Sequence, residues 1–189
     1  MKRKGTWLCE KCGSKQEEMF KSCSCGHHVF LEKEEFEKRK IAFEEGKIEF
    51  QFNDGGRKEA GFKGTTGDCV TRAIAIATGK PYKEVYDAIN ELGKREYITK
   101  KKKSKSNSRT GVYKQTIRRY MEGLGWKWTP TMFIGSGCKV HLRKDELPSG
   151  VLLLSLSRHS ATVINGVLHD TYDCSRNGTR CVYGYFSKE

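Results

Sequence analysis

Helical spacing of apolar residues up to about residue 122, strand periodicity from there to the C-terminus, and four cysteines crowded into the first 25 residues predict an α+β domain preceded by a small metal-ordered appendage. With 189 residues the chain holds one main core and little more. Lysine and arginine number 36 against 23 acidic residues, a formal net charge of +13. That charge favours an acidic partner or nucleic acid without selecting either. No stretch reaches the roughly 18 apolar residues that span a bilayer, so no membrane partner is expected. The basic start Lys2-Arg3-Lys4 has no apolar run behind it, so export is not expected and the cytoplasm is the expected compartment.

Cys9-Glu10-Lys11-Cys12-Gly13 and Cys23-Ser24-Cys25-Gly26 are two short cysteine pairs, each followed by glycine. Four soft thiolates brought in by two tight turns suit tetrahedral zinc, and glycine lets the backbone turn so that amides face the sulfurs. Residues 1–30 thus resemble a zinc ribbon, with Cys9, Cys12, Cys23 and Cys25 as metal ligands and zinc as a structural cofactor. The one-residue gap in the second pair leaves His27 or His28 open as a replacement ligand. A segment this short has no other source of order. Residues 31–47, with Leu31, Phe36 and Ile41 among Glu, Lys and Arg and Gly46 near the end, read as a charged helical linker.

The main domain occupies residues 48–189. Alternation from Lys47 to Phe52 predicts a strand before the Asn53-Asp54-Gly55-Gly56 turn. Val70, Ala73, Ile74 and Ala77 recur at helical spacing after the capping stretch Gly64 to Asp68, and Gly79 stops that helix. Pro81 opens a second helix carrying Val85, Ala88, Ile89 and Leu92, closed near Gly93. Residues 99–109 are too polar to bury, and a third helix follows over 112–122. Strands are expected at 126–129, 151–156, 161–164, 167–170 and 182–186. Asn165-Gly166 joins two of them as a two-residue hairpin, because both turn positions need positive φ.

Cys69 opens the first helix of this domain, where the positive end of the macrodipole favours a thiolate. A histidine beside it completes an ion pair and returns the proton to a leaving group, and a carboxylate fixes the imidazole tautomer. His159 and Asp170 suit these roles, since pairing across Asn165-Gly166 sets Thr162 against His169 and brings Asp170 towards the start of the His159 arm. Asp173 is a rival carboxylate on the same segment.

Thr66-Gly67-Asp68-Cys69-Val70-Thr71-Arg72-Ala73-Ile74-Ala75, then helices, then Ser157-Arg158-His159-Ser160-Ala161-Thr162-Val163 and Gly166-Val167-Leu168-His169-Asp170-Thr171, resembles the papain-like cysteine peptidase superfamily in its small bacterial and phage members. The resemblance covers about Gly64 to Phe186. It implies papain-like helices packed on an antiparallel sheet, and Cys69 as nucleophile, His159 as general base and acid, and Asp170 as orienter. It also implies hydrolysis of a peptide or isopeptide bond in a protein or peptide substrate. Where the family carries an oxyanion-hole side chain upstream of the cysteine, this sequence has Lys63, Thr65 and Thr66, which leaves the Cys69 amide, Gln51 and Asn53 as donors to weigh. The alternative is an inactive scaffold of the same fold whose zinc ribbon and basic loop, Lys100 to Arg109, bind nucleic acid or protein. Cys138, His141, Cys174 and Cys181 lie too far apart in sequence to argue a second zinc site, so reduced thiols are expected there.

Overall fold

The computed structural model describes residues 7–10, 15–16, 30–100 and 102–188. They fall into two compact units, Met1–Gly46 and Lys47–Glu189. In the first, β1 (Trp7–Cys9) lies between β2 (Lys15–Gln16) and β3 (Phe30–Glu32), antiparallel to both. Cys9 is buried. Cys12, Cys23 and Cys25, with His27 and His28, lie outside the described residues. α1 (Lys33–Glu45) follows, ends where the Gly46 amide donates to the Ala42 carbonyl, and buries none of its side chains. Its charge pattern explains this: an Arg39 ion pair to Glu35 one turn back tiles an exposed face. α1 packs with β3 and β1 inside this unit.

The second unit is α+β, with a mixed six-stranded sheet. Its elements are β4 (Glu49–Phe52), α2 (Cys69–Thr78), α3 (Tyr82–Lys94), α4 (Lys114–Gly123), β5 (Lys127–Pro130), β6 (Val151–Leu156), β7 (His159–Ile164), β8 (Val167–Asp170) and β9 (Val182–Ser187), with strand order β4-β8-β7-β6-β9-β5. The expected all-antiparallel sheet is corrected at one edge, where β4 runs parallel to β8. The connection from β4 to β8 passes through three helices and three strands, so nothing forces the reversal that a short hairpin imposes. The hairpin itself has the expected register, with Thr162 opposite His169, Val163 opposite Leu168 and Ile164 opposite Val167. Asn165 and Gly166 have φ of 49° and 80°, as a two-residue turn of this type requires.

The sheet separates two apolar clusters. Ile74, Val85, Ile89, Met121, Trp126, Leu153 and Phe186 pack together on the helix side. Leu142, Leu152, Leu154, Val163, Leu168 and Val182 form the other cluster. β6 feeds both because alternate residues of a strand point to opposite faces, which is why an uninterrupted apolar run was needed there. α2 is fixed across the helix side by Thr162, whose hydroxyl donates to the Ala73 carbonyl at 2.7 Å.

The irregular segment 131–150 supplies a second correction. Cys138 and Cys181, expected as reduced thiols, form a disulfide with Cα atoms 5.7 Å apart. The Val182 amide donates to Val140 and the Leu142 amide to Arg180, so the backbone brings residues 138–142 alongside the start of β9. No helix among the described residues is long and apolar enough to cross a membrane.

Candidate active site

Residues 53–68 shape the ground on which Cys69 stands. Asn53 Oδ1 accepts from the Gly55 amide, and the Asp54 carboxylate accepts from the amides of Gly56 and Lys58, so two successive side-chain turns coil the loop. Gly55 sits at φ +67° against α2, where an added Cβ would lie 2.9 Å from the Arg72 carbonyl oxygen. Arg57 donates to the carbonyls of Phe62 and Lys63 and ion-pairs with Asp68 at 2.8 Å. Asp68 occupies the N-cap of α2, yet its side chain makes no capping hydrogen bond. Its carboxylate faces Arg57, Arg72 and the Tyr82 hydroxyl instead. Cap chemistry was therefore the wrong use for this residue; it ties the loop, α2 and α3 together beneath the thiol.

His159 enters β7 directly after Arg158, which turns the chain at φ 54°. Asp170 is the last residue of β8. The antiparallel register between the two strands brings them together, with His159 Nε2 2.5 Å from Asp170 Oδ2. The Thr171 amide holds the other carboxylate oxygen at 2.7 Å, and Arg72 reaches Thr171 Oγ1 at 2.8 Å from α2. Asp173, the rival orienter, accepts from the Ser175 amide and belongs to the next turn. Asp170 is therefore brought against His159, and the influence of His159 on the Cys69 thiol puts the cysteine beside the same ring.

The charges reinforce one another. Burial pushes the Cys69 thiol up, but its hydrogen bond to His159, the charge of that ring, the Ser160 backbone and Arg72 together outweigh burial and leave it below the ordinary thiol value. Burial alone would lower His159; hydrogen bonds to Asp170, Cys174 and Cys69 raise it well above the ordinary imidazole value instead. Asp170, raised by burial, is brought down by the His159 hydrogen bond and charge. All three directions favour thiolate, imidazolium and carboxylate over the neutral forms. They also set the pH window: the contribution of Asp170 fades as pH falls through its depressed value, and that of His159 is lost as pH rises through its raised one.

Sequence reasoning missed two neighbours. Cys174 is buried with its sulfur within 4.8 Å of the His159 and Asp170 ligand atoms, and its own thiol is pushed up, chiefly by burial. Arg180 donates to the carbonyls of Cys174 and Ser157, holding the turns on either side of the imidazole. Both lie in irregular chain with no periodicity to flag them. Ligand atoms of His159, Asp170 and Cys174 lie within 4.8 Å of one another, a donor set that suits a divalent cation by type. A cation there would have to displace the proton that His159 and Asp170 share, beside the positive charge of Arg180. Of the upstream donors, Gln51 is exposed on β4, and Asn53 adjoins the site through its amide, which donates to the Asp170 carbonyl at 2.8 Å. No protein-family model, curated protein or solved structure matches this chain.

Proposed function

We propose that the second unit is a cysteine-dependent acyl-transfer hydrolase of papain-like type, acting on a peptide or isopeptide bond. The observation that carries the reading is the buried His159 Nε2–Asp170 Oδ2 contact at 2.5 Å with Cys69 at the start of α2, and the directions in which the three groups are shifted agree with an ion pair. Cys69 Sγ attacks the carbonyl carbon, and the C=O electron pair moves to oxygen. His159 gives its proton to the leaving nitrogen as the C–N bond breaks, leaving a thioester on Cys69. The neutral imidazole then takes a proton from water as its oxygen attacks, releasing the carboxylic acid and the thiolate. Asp170 holds the ring through Nε2, leaving the other ring nitrogen for the thiol. The backbone amides at the start of α2 are unsatisfied within the helix, and the Cys69 amide is the donor favoured for the developing oxyanion.

The test is a trapped intermediate. Incubated with an activated amino-acyl ester and quenched in acid, the wild-type chain should gain one acyl mass, mapped to Cys69 by peptide fragmentation. Cys69→Ala should gain none. Acylation spread over lysines, or equal in both proteins, would remove the reading.

The first unit is proposed as a structural zinc site of four thiolates. Cys9 fits as a ligand by its complete burial on a three-stranded sheet. Zinc would supply folding free energy to that segment and no step of the reaction. Elemental analysis of the purified chain should return one zinc per molecule, falling to none in a Cys9→Ser/Cys12→Ser variant. Full retention of metal in that variant would count against these ligands.

A further inference from the structure

We infer that the groove running from Ser160 between α4 and β5 receives a polypeptide segment presenting one bulky apolar side chain beside an acidic one, and that such segments are the substrate class of the site. The proposal takes its chemistry from the acyl-transfer reading but stands on the groove.

The groove encloses about 560 Å³, in the range of ligand pockets that hold one or two large side chains. Its walls are mostly apolar and include aromatic rings, with Ile117 from α4, Trp128 from β5, Tyr183 and Phe186 from β9, and Phe133 from the segment after β5. Trp128 and Phe186 pack with ring centroids 4.8 Å apart. Phe133 is 63% exposed and the adjacent Ile134 wholly so, an apolar rim with nothing over it among the described residues. The groove reaches the neighbourhood of the site through Ser160, which lines it and is next in sequence to His159. Ile117 and Trp128 pack against the same core cluster as Cys69.

Three polar side chains interrupt these walls: Gln115, Ser155 and Ser160. Each carries a side-chain group able to hydrogen-bond a ligand's amides. A free fatty acid would match the apolar walls and leave all three unused. The charged lining is Lys114 and Arg118, both cationic, with no acidic residue in the groove wall. Lys114 lies over the Tyr183 ring at 5.8 Å, without a carboxylate partner among the described residues. Arg118 lies over Trp128 at the same distance, with only an exposed contact to Glu122 at 3.5 Å. Two cations on an aromatic wall complement a carboxylate next to a large apolar side chain.

The test uses full-length Cys69→Ala, so that peptides bind without turnover, and reads quenching of tryptophan fluorescence by Trp128 in the wall. Four acetylated hexapeptide amides are compared, carrying Phe-Glu, Ala-Glu, Phe-Gln or Phe-Lys at the centre. Replacing Phe by Ala should weaken binding about tenfold or more. Replacing Glu by Lys should weaken it about threefold to tenfold, by an amount that shrinks between low and high salt. In a Lys114→Glu/Arg118→Glu background the order of the Glu and Lys peptides should invert, and tighter binding of the Lys peptide there shows that the variant is folded. Equal affinity for all four peptides, or tighter binding of laurate than of any peptide, overturns the proposal. The small-ester acylation of wild-type Cys69 is run alongside. Acylation without peptide discrimination removes this proposal alone, and peptide discrimination without acylation removes the acyl-transfer reading alone.

Discussion

Iodoacetamide should alkylate one cysteine in the native protein well below pH 8, and that cysteine should be Cys69. Its thiolate is favoured by the hydrogen bond and charge of His159, the Ser160 backbone and Arg72 against the opposing effect of burial. Cys174, buried and with its thiol pushed up, should stay unmodified until the protein unfolds. Each unit by which a thiol's pKa falls gives about tenfold more thiolate at a pH below it and takes back about threefold in intrinsic nucleophilicity, a net gain of about threefold per unit. In His159→Ala the two largest favourable contributions vanish while burial remains, so labelling at pH 6 should drop clearly and the profile should move to higher pH. Acyl transfer should fall further, by about 10²–10⁴-fold, because the proton donor to the leaving group is lost as well. The acid limb of the wild-type rate profile belongs to the lowered thiol and the alkaline limb to the raised imidazole, so activity should be flat through neutrality. Mass-spectrometric rates at Cys69 across pH 5 to 9 decide the matter; identical slow labelling in both proteins would leave the scaffold without thiol chemistry.

The elements that carry this site were legible for local reasons. Val70, Ala73, Ile74 and Ala77 define a helix by spacing alone, and Gly79 ends it at φ 66°. Asn165-Gly166 fixes a register, and register decided between Asp170 and Asp173, a choice that composition leaves open. What escaped depends on contacts between distant segments. The parallel pairing of β4 with β8 joins residues more than 110 apart, and no local signal encodes direction. The Cys138–Cys181 bond depends on where an irregular segment happens to run, as do the Cys174 and Arg180 contacts around the imidazole. Asp68 was misread because a carboxylate before a helix is normally a cap. Here two arginines from opposite sides outcompete the helix amides.

Replacing Asp68 by alanine should cost about 3–5 kcal/mol of stability, the largest loss expected of any surface-remote polar residue in the second unit. The carboxylate is 1% exposed, with Arg57 Nε 2.8 Å away, Arg72 Nε 3.1 Å away and the Tyr82 hydroxyl donating at 2.6 Å. Both arginine side chains are themselves under one-fifth exposed, and neither Nε makes an aligned hydrogen bond, so the carboxylate charge is what compensates them. Burial and Asp68 together push the Tyr82 phenol far up, which marks it as a committed donor. Alanine would leave two buried guanidinium groups facing each other and a phenol with no acceptor. Asp68→Asn restores an acceptor for Tyr82 without the charge, so it should lose less than alanine but remain clearly destabilised. The two properties should then move in opposite directions. With the carboxylate gone, the positive charge of Arg72, which favours the Cys69 thiolate, is no longer balanced, and the asparagine variant should label faster at low pH while unfolding at lower urea. Urea midpoints with unchanged slope, read by circular dichroism, give the stability; iodoacetamide rates at pH 6 give the field. A loss under about 1 kcal/mol for alanine would mean that the arginines find water or new partners, and the account of Asp68 as the charge holding the loop beneath the thiol would fall.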